Sequence, residues 1–405
     1  MFHPSLHHTA PNPSRVSRSP TPRKQFIYIN EAYASAHAIP DFPWTFYPSC
    51  FANENTTSPY CVFSDQTFAR GRGIFIVTTP SQAYDLLASP AFTDASVLDS
   101  ANDFANPPFE QRALPGKGRG LIANTTLHRG TQIFASTPLL ITDPGAYSLS
   151  TSERLALLHR GVATLPPDSQ ARFWTLLNHF QGDAVDDRID TNAFEIAIDG
   201  VTQYAVLPET ALLNHDCRPN AAYFWDEAAL MLRVHATQTI YPGEEISITY
   251  IDNERPRAAR TAHLQRNWGF ACGCAACAAP EFVTAESDAR ILQIQEVAAL
   301  LDDWSEESCA SPEMAMLLVS LYEQERLGAG MGKAYRLAAE VYSSFGERWL
   351  AVKFARLSVE VGALDKGWGD GDVLDMVRMA EEPEGSWSWG RRVGLRRGEG
   401  CGWGA

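Results

Sequence analysis

Cys272, Cys274 and Cys277 fall within the six residues "CGCAAC", and this spacing constrains the fold more than any other stretch of the chain. Three thiols so close together suit one ion, but a closed tetrahedral zinc site takes four sulfur or nitrogen ligands, with sulfur at about 2.3 Å. The fourth ligand must come from elsewhere, so the fold has to carry a distant segment to this one. The stretch "NHDCRPN", Asn214 to Asn220, offers His215 and Cys217, while Cys61 and Cys309 are more remote alternatives. If His215 is the ligand, Cys217 is an ordinary small buried residue. If Cys217 is the ligand, Asn214 and His215 are free for other work. Spacing leaves both open.

The 405 residues, 45% hydrophobic and 20% charged, are those of a globular chain of two or three domains. A formal charge of −15 argues against wholesale wrapping of nucleic acid, which depends on neutralising phosphates. The same charge is compatible with attracting a basic, lysine-rich protein segment. No apolar run approaches the roughly 18–20 residues that span a bilayer. The first 24 residues carry four basic and no acidic side chains, without the apolar stretch of a secretory signal. Organelle targeting is an open reading of them. Cys50, Cys61, Cys309 and Cys401 are scattered and read as structural or incidental thiols.

Residues 1–25, rich in proline and serine, are expected to be a disordered tail, followed by an N-terminal extension over 26–105. Within the extension, Gly73–Thr79 reads as a strand and Ser81–Ser89 as a helix. Short strands then alternate with turns through 106–270, interrupted at 150–185 by helical spacing. Ser150 and Glu153 form a capping-box pattern at the start of that insert. After 271–280, which holds the cysteine trio, residues 285–380 are nearly all helical. The Gly/Trp-rich end, 381–405, has little core-forming pattern and is expected to be disordered.

"GKGRGL", Gly116 to Leu121, invites a nucleotide reading. A dinucleotide fingerprint needs its third glycine one residue later and a helix after it, and "LIANTTL" favours a strand. The glycines still permit positive φ or close approach of the backbone to a ligand. Lys117 and Arg119 are placed to present charge to a carboxylate.

"GKGRGL", "NAFEI", "NHDCRPN", "GEEISITY" and "CGCAAC" stand in the order found in SET-domain protein methyltransferases. The resemblance is to the SET and MYND group and its fungal SET-only relatives. It is specific over about 112–280, loose over 285–380, and leaves 1–60 unexplained. It implies an α+β SET fold of short strands with a helical insert, a knotted C-terminal segment, a post-SET zinc site and an α-helical C-terminal domain. S-adenosylmethionine (SAM) and a structural zinc ion are the implied cofactors. Lys117, Gly118, Arg119, Asn192, Asn214, His215 and Phe270 match cofactor-contacting positions. Tyr250 matches the active-site tyrosine, and Cys217 matches the fourth zinc ligand.

The implied reaction is methyl transfer to a protein lysine, with a protein-interaction scaffold or a histidine acceptor as alternatives. A free lysine titrates near 10.4, so the bound amine must lose a proton, and Tyr250 would orient it rather than act as a strong base. Trp268 stands where many relatives place a tyrosine near the lysine channel, a change expected to narrow that channel. The MYND zinc module is missing, so partner recognition through it is not inherited. Implied partners are a protein with an accessible lysine and one recruited by the helical region, with neither nucleic acid nor membrane expected. The nucleus, the cytoplasm or both are the implied location. His159, His179 and His235 are read as structural.

Overall fold

In the computed structural model the described residues are 42–52 and 58–394. The expected tail over 1–25 lies outside them. Three antiparallel-rich sheets form the N-terminal two-thirds. The largest runs β1 (Ser49–Phe51), β2 (Tyr60–Asp65), β3 (Ile74–Thr78), β7 (Leu140–Thr142), β9 (Val201–Val206) and β8 (Ala193–Ile198) from edge to edge. All its pairings are antiparallel except β3 with β7. The extension is therefore no separate layer: its strands share a sheet with strands that follow residue 139. Cys50 and Cys61, read from sequence as structural or incidental thiols, face each other across β1 and β2 and are disulfide-bonded, which removes Cys61 as a metal ligand.

The second sheet is β10 (Asn214–His215), β13 (Glu245–Ile248), β5 (Gly118–Ala123) and β4 (Phe109–Leu114); β10 runs parallel to β13. The third is β11 (Ala221–Asp226), β12 (Met231–Ala236) and β6 (Gln132–Ser136). Helix α1 (Pro80–Leu87) follows β3, started by Thr79 and Gln82 in a capping box.

The insert between β7 and β8 holds α2 (Thr151–Thr164), α3 (Pro167–Trp174) and α4 (Ala184–Asn192). Ser150 and Glu153 make the reciprocal capping bonds that their spacing predicts. Buried Leu157, Leu158 and Val162 of α2 pack on Phe75 and Val77 of β3, so the insert covers one face of the large sheet. Glu209, nearly buried, ties the insert down: Arg72 reaches it at 2.6 Å and Arg172 of α3 at 3.1 Å.

Beyond β13 come α5 (Arg257–Trp268), α6 (Glu281–Leu301), α7 (Pro312–Gln324), α8 (Met331–Ser344), α9 (Arg348–Asp365) and α10 (Gly371–Glu381). Apolar stripes of α6 to α10 share one core, including Ile291, Leu318, Tyr322, Leu337 and Phe354. This helical region is locked to the strands by Glu325. Its buried carboxylate takes Arg218 and Arg290, each at 2.7 Å, and the Ser287 hydroxyl at 2.6 Å.

Disorder over 381–405 does not hold for the described part of that stretch, up to residue 394. The Arg392 guanidinium is buried over the Trp304 ring, 3.7 Å from its centroid, and donates to Leu301 O and Asp303 O. One cation–π contact and polar bonds replace the apolar periodicity that sequence patterning looks for.

Candidate active and metal site

"GKGRGL" forms the turn of the β4–β5 hairpin, with Lys117 N–H donating to Leu114 O at 3.1 Å and Gly118 at φ +75°. It is a strand turn, as the residues after it suggest, and opens no helix. Gly120 faces Leu114 and Asn214: a Cβ there would lie 2.5 Å from Leu114 Cδ1 and 2.7 Å from Asn214 Nδ2, so any larger residue has to displace those side chains. The Asn214 amide donates to Arg119 O at 3.1 Å and to Glu245 Oε1 at 2.9 Å. The other Glu245 oxygen takes Lys117 Nζ at 2.6 Å. One carboxylate thus joins Lys117 to Asn214. Glu245 stands in "GEEISITY", but its motif position alone gave no reason to assign it this bridging place.

Arg119, half-buried, donates to Thr175 O at the end of α3. The loop after Thr175 is held by Asp187, whose carboxylate accepts the backbone N–H groups of His179, Phe180 and Gln181 at 2.8, 2.8 and 3.0 Å. Asn192 sits beside the same loop. Its Nδ2 donates to Leu177 O at 2.8 Å and to Arg188 O at 2.7 Å. The structure therefore sets Asn192 against the insert backbone, and Leu177 in turn flanks Gly118.

"NHDCRPN" turns a corner between these groups and the cysteines. Asn214 and His215 pair with Ser247 and Ile248. Asp216 then caps a tight turn by accepting Arg218 N–H at 2.8 Å, and Asn220 stitches the end of the stretch to β13. The turn reverses side-chain direction over three residues. Asn214 reaches the glycine loop, and Cys217 joins the trio.

The sulfurs of Cys217, Cys272, Cys274 and Cys277 all lie within 4.8 Å of one another, with Cys217 and Cys277 at 3.6 Å. Four sulfurs at tetrahedral zinc would be about 3.8 Å apart. Hydrogen bonding among the four sulfurs lowers the Cys274 and Cys277 thiols and raises those of Cys217 and Cys272, so the four share protons as one set. Arg260, on α5 and 1% exposed, sets its guanidinium against Cys217 and Cys277, while its Nε has no hydrogen-bond partner among the described residues. A dication with four thiolates carries two negative charges, one of which a buried guanidinium offsets. The set fits zinc, with Cys217 rather than His215 completing it.

His215 is 4% exposed, and its ring is occupied internally. Nδ1 accepts the Tyr250 backbone N–H at 3.0 Å, and Nε2 is 3.3 Å from Cys217 Sγ. Burial pushes its pKa down to about 4. Tyr250 donates its hydroxyl to Leu213 O at 2.7 Å, and burial, with Glu245 and Tyr223, raises its phenol well above the usual tyrosine range. The rings of His215 and Trp268 lie 5.4 and 5.6 Å from that of Tyr250, and Phe270 is 6.3 Å from His215. Trp268 also stacks on His263. His179, read as structural, packs its ring against Gly269 between Trp268 and Phe270. The two aromatic positions are thereby pinned to the insert.

The sequence-predicted residues therefore fall into three adjoining groups around β10 and β13: a polar group at the glycine loop, an aromatic group at Tyr250, and the four cysteines. A surface concavity of about 420 Å³ along α9, lined by Trp349, Lys353 and Leu357, contains none of them.

Residues 118–251, the stretch that holds Asn214, His215 and Tyr250, match the SET domain family. Among curated proteins the chain is similar to the histone-lysine N-methyltransferase set5 of Schizosaccharomyces pombe, 31% identical over 186 residues, covering 44% of this chain and 53% of that one. It is also similar to the N-lysine methyltransferase SMYD2 of Bos taurus, 33% identical over 92 residues (22% and 21%). A third relative, the human protein-lysine N-trimethyltransferase SMYD5, is 44% identical over 69 residues, 16% of each chain. The chain spans about half the length of the first of these and less of the others.

Proposed function

We propose that the chain is a SAM-dependent protein-lysine N-methyltransferase whose pocket is completed by a zinc-held segment. One observation carries this reading: three positions along the chain take it from Asn214 at the glycine loop to Cys217 among the thiols, with Tyr250 packed against His215 between them. Lys117, Gly118, Arg119, Asn192, Asn214, His215 and Phe270 would surround the cofactor. Lys117 and Arg119 suit its carboxylate, Glu245 its ammonium, and Phe270 its ring. The His215 imidazole is committed to Tyr250 and Cys217, so its hold on the cofactor comes from its backbone. Parallel pairing of β10 with β13, followed by return of Cys272–Cys277 to Cys217, supports the knotted threading implied by the resemblance.

SAM when bound supplies an electrophilic methyl group on a sulfonium. The protein has to align an amine with it and keep that amine neutral. Burial around Tyr250 and Trp268 disfavours an ammonium. Tyr250 is no base, since its phenol is held protonated, and its hydrogen goes to Leu213 O. Its oxygen lone pairs remain to accept an amine N–H and fix the nitrogen's direction. Trp268, bulkier than tyrosine and without its hydroxyl, narrows the channel beside it and favours lower methylation states. Replacing it with tyrosine should shift product distribution by mass spectrometry.

The substrate is a protein with an accessible lysine. No described helix is long and apolar enough to cross a membrane. We place the chain in the nucleus, the cytoplasm or both, with α6–α10 closing one side of the cleft or recruiting a partner. The test is zinc-loaded chain incubated with labelled SAM and a lysate, followed by site mapping. Label on lysine, lost in Tyr250→Phe, is expected. Label confined to histidine would move the acceptor, and no SAM binding at all would leave only a scaffold.

A further inference from the structure

The parallel ladder between β10 and β13 ends at His215 and Ile248, and Asp216 N–H still finds Ile248 O at 2.9 Å. Two residues on, the Tyr250 backbone N–H has no strand partner. A buried amide without an acceptor costs about 1–3 kcal/mol, so something must take that place. The imidazole of His215 does, through Nδ1 at 3.0 Å. Because Nδ1 accepts, the single proton of the neutral ring sits on Nε2, which points at Cys217 Sγ 3.3 Å away. The other end of Tyr250 is held by Leu213 O. Residues 213–215 thus clamp the tyrosine at both its hydroxyl and its amide.

We propose that His215 is a positioning residue that ties the metal-binding sulfur of Cys217 to the backbone of Tyr250. This inference rests on the methyltransferase reading for its kinetic consequence only. Metal ligands are commonly oriented by the groups hydrogen-bonded to them. Here the same contact runs in the opposite direction as well. A sulfur fixed by the ion fixes the imidazole, and the imidazole fixes the amide of the residue that orients the amine. The cysteine cluster then does more than staple residues 269–277 to β10; it sets the height of Tyr250 in the channel. Arg260 lies against Cys217 and Cys277, and its charge also reaches the His215 ring, but it makes no hydrogen bond to His215 or Tyr250 among the described residues.

Two near-isosteric variants separate the halves of the bridge. His215→Asn puts an acceptor near the Nδ1 position but cannot reach the sulfur. His215→Gln puts a donor near the Nε2 position but offers Tyr250 nothing. In the cobalt-substituted chain, His215→Asn should shift the thiolate-to-cobalt absorption band, His215→Gln should leave it close to wild type, and both should keep one metal per chain. Both should lower kcat by about tenfold or more, with KM for SAM changed much less, since a small displacement of a reacting geometry is costly. In the wild-type chain loaded with cadmium-113, the Nε2 proton of His215 should show scalar coupling to the metal through Sγ. That arm needs no variant. An unmoved band in His215→Asn, absent cadmium coupling, unchanged kcat in both variants or release of the metal by either would overturn the assignment. If the wild-type chain transfers no methyl group, the methyltransferase reading falls while the cobalt and cadmium results still decide the bridge.

Discussion

The two flanks of the site are built differently. On the glycine-loop side, two paired strands, β4 and β5, carry Lys117 to Gly120, and Glu245 and Asn214 hold them by ordinary hydrogen bonds. On the cysteine side, residues 269–273 have no regular structure, and the buried cluster there consists of the cysteines themselves with Ala276 at its edge. One flank is secured by a sheet, and the other by four sulfurs with a few ring contacts and Arg257 on the Cys277 and Ala279 carbonyls. On the proposed reading, an ion would matter little to the first and much more to the second.

The largest effect should follow metal removal. Structural zinc contributes up to about 10–16 kcal/mol to small domains that depend on it, and the segment around Phe270 has no strand or helix pairing to order it. After chelation, or in Cys274→Ser, hydrogen exchange should become fast over 269–277. Protection over 109–123 should persist. Equal loss on both sides would erase the distinction between the flanks.

Glu325→Ala comes next. It leaves Arg218, adjacent to Cys217, and Arg290 without their shared carboxylate, and breaking such a pair costs about 3–5 kcal/mol. Urea unfolding should show that loss while zinc content at neutral pH stays at one per chain. The same carboxylate sets a pH dependence. Burial alone would raise Glu325 and Glu209, but Ser287, Arg218 and Arg290 hold the first below 4.5, and Arg72 and Arg172 hold the second there. Their contribution is full above pH 4.5 and is lost as pH falls through the lower folded values. A thermal melt series should show the midpoint dropping on that acid side; a midpoint flat to pH 3 would count against both networks.

Gly120→Ala probes the sheet-held flank. The added carbon meets Asn214 Nδ2 at 2.7 Å and should cost about 1–3 kcal/mol, weakening SAM binding without touching metal content. Lys117→Ala should do least to stability, below about 1 kcal/mol, because both side chains of its ion pair are partly exposed, 35% and 20%. If Lys117→Ala unfolded the protein, the glycine loop would be a structural keystone rather than a ligand surface.

What the sequence made legible was local or carried by motif order. The capping box at Ser150 and Glu153, the strand–helix pair after Gly73, and the company of Cys217 with the trio all appear as their residues suggest. Contacts between segments with no such motif were not legible. Parallel pairing of β3 with β7 joins residues over sixty positions apart and turns an apparent extension into half of a sheet. Glu325 and Arg218 are charges of ordinary surface appearance until a helix buries them together. Cys50 and Cys61 lie too far apart in sequence to announce a pair, and Arg392 stands in a glycine-rich tail with no apolar period. The dual engagement of His215 was missed for a similar reason: motif matching assigns it to the cofactor, while its ring is taken up by the backbone two residues past the end of a ladder.

The most direct measurement is calorimetry of SAM binding to the zinc-loaded chain, to the chelated chain and to the chain after zinc is restored. Binding to the first, none to the second and recovery in the third is the expected result. SAM binding that survives chelation unchanged would contradict a pocket completed by the metal-held flank.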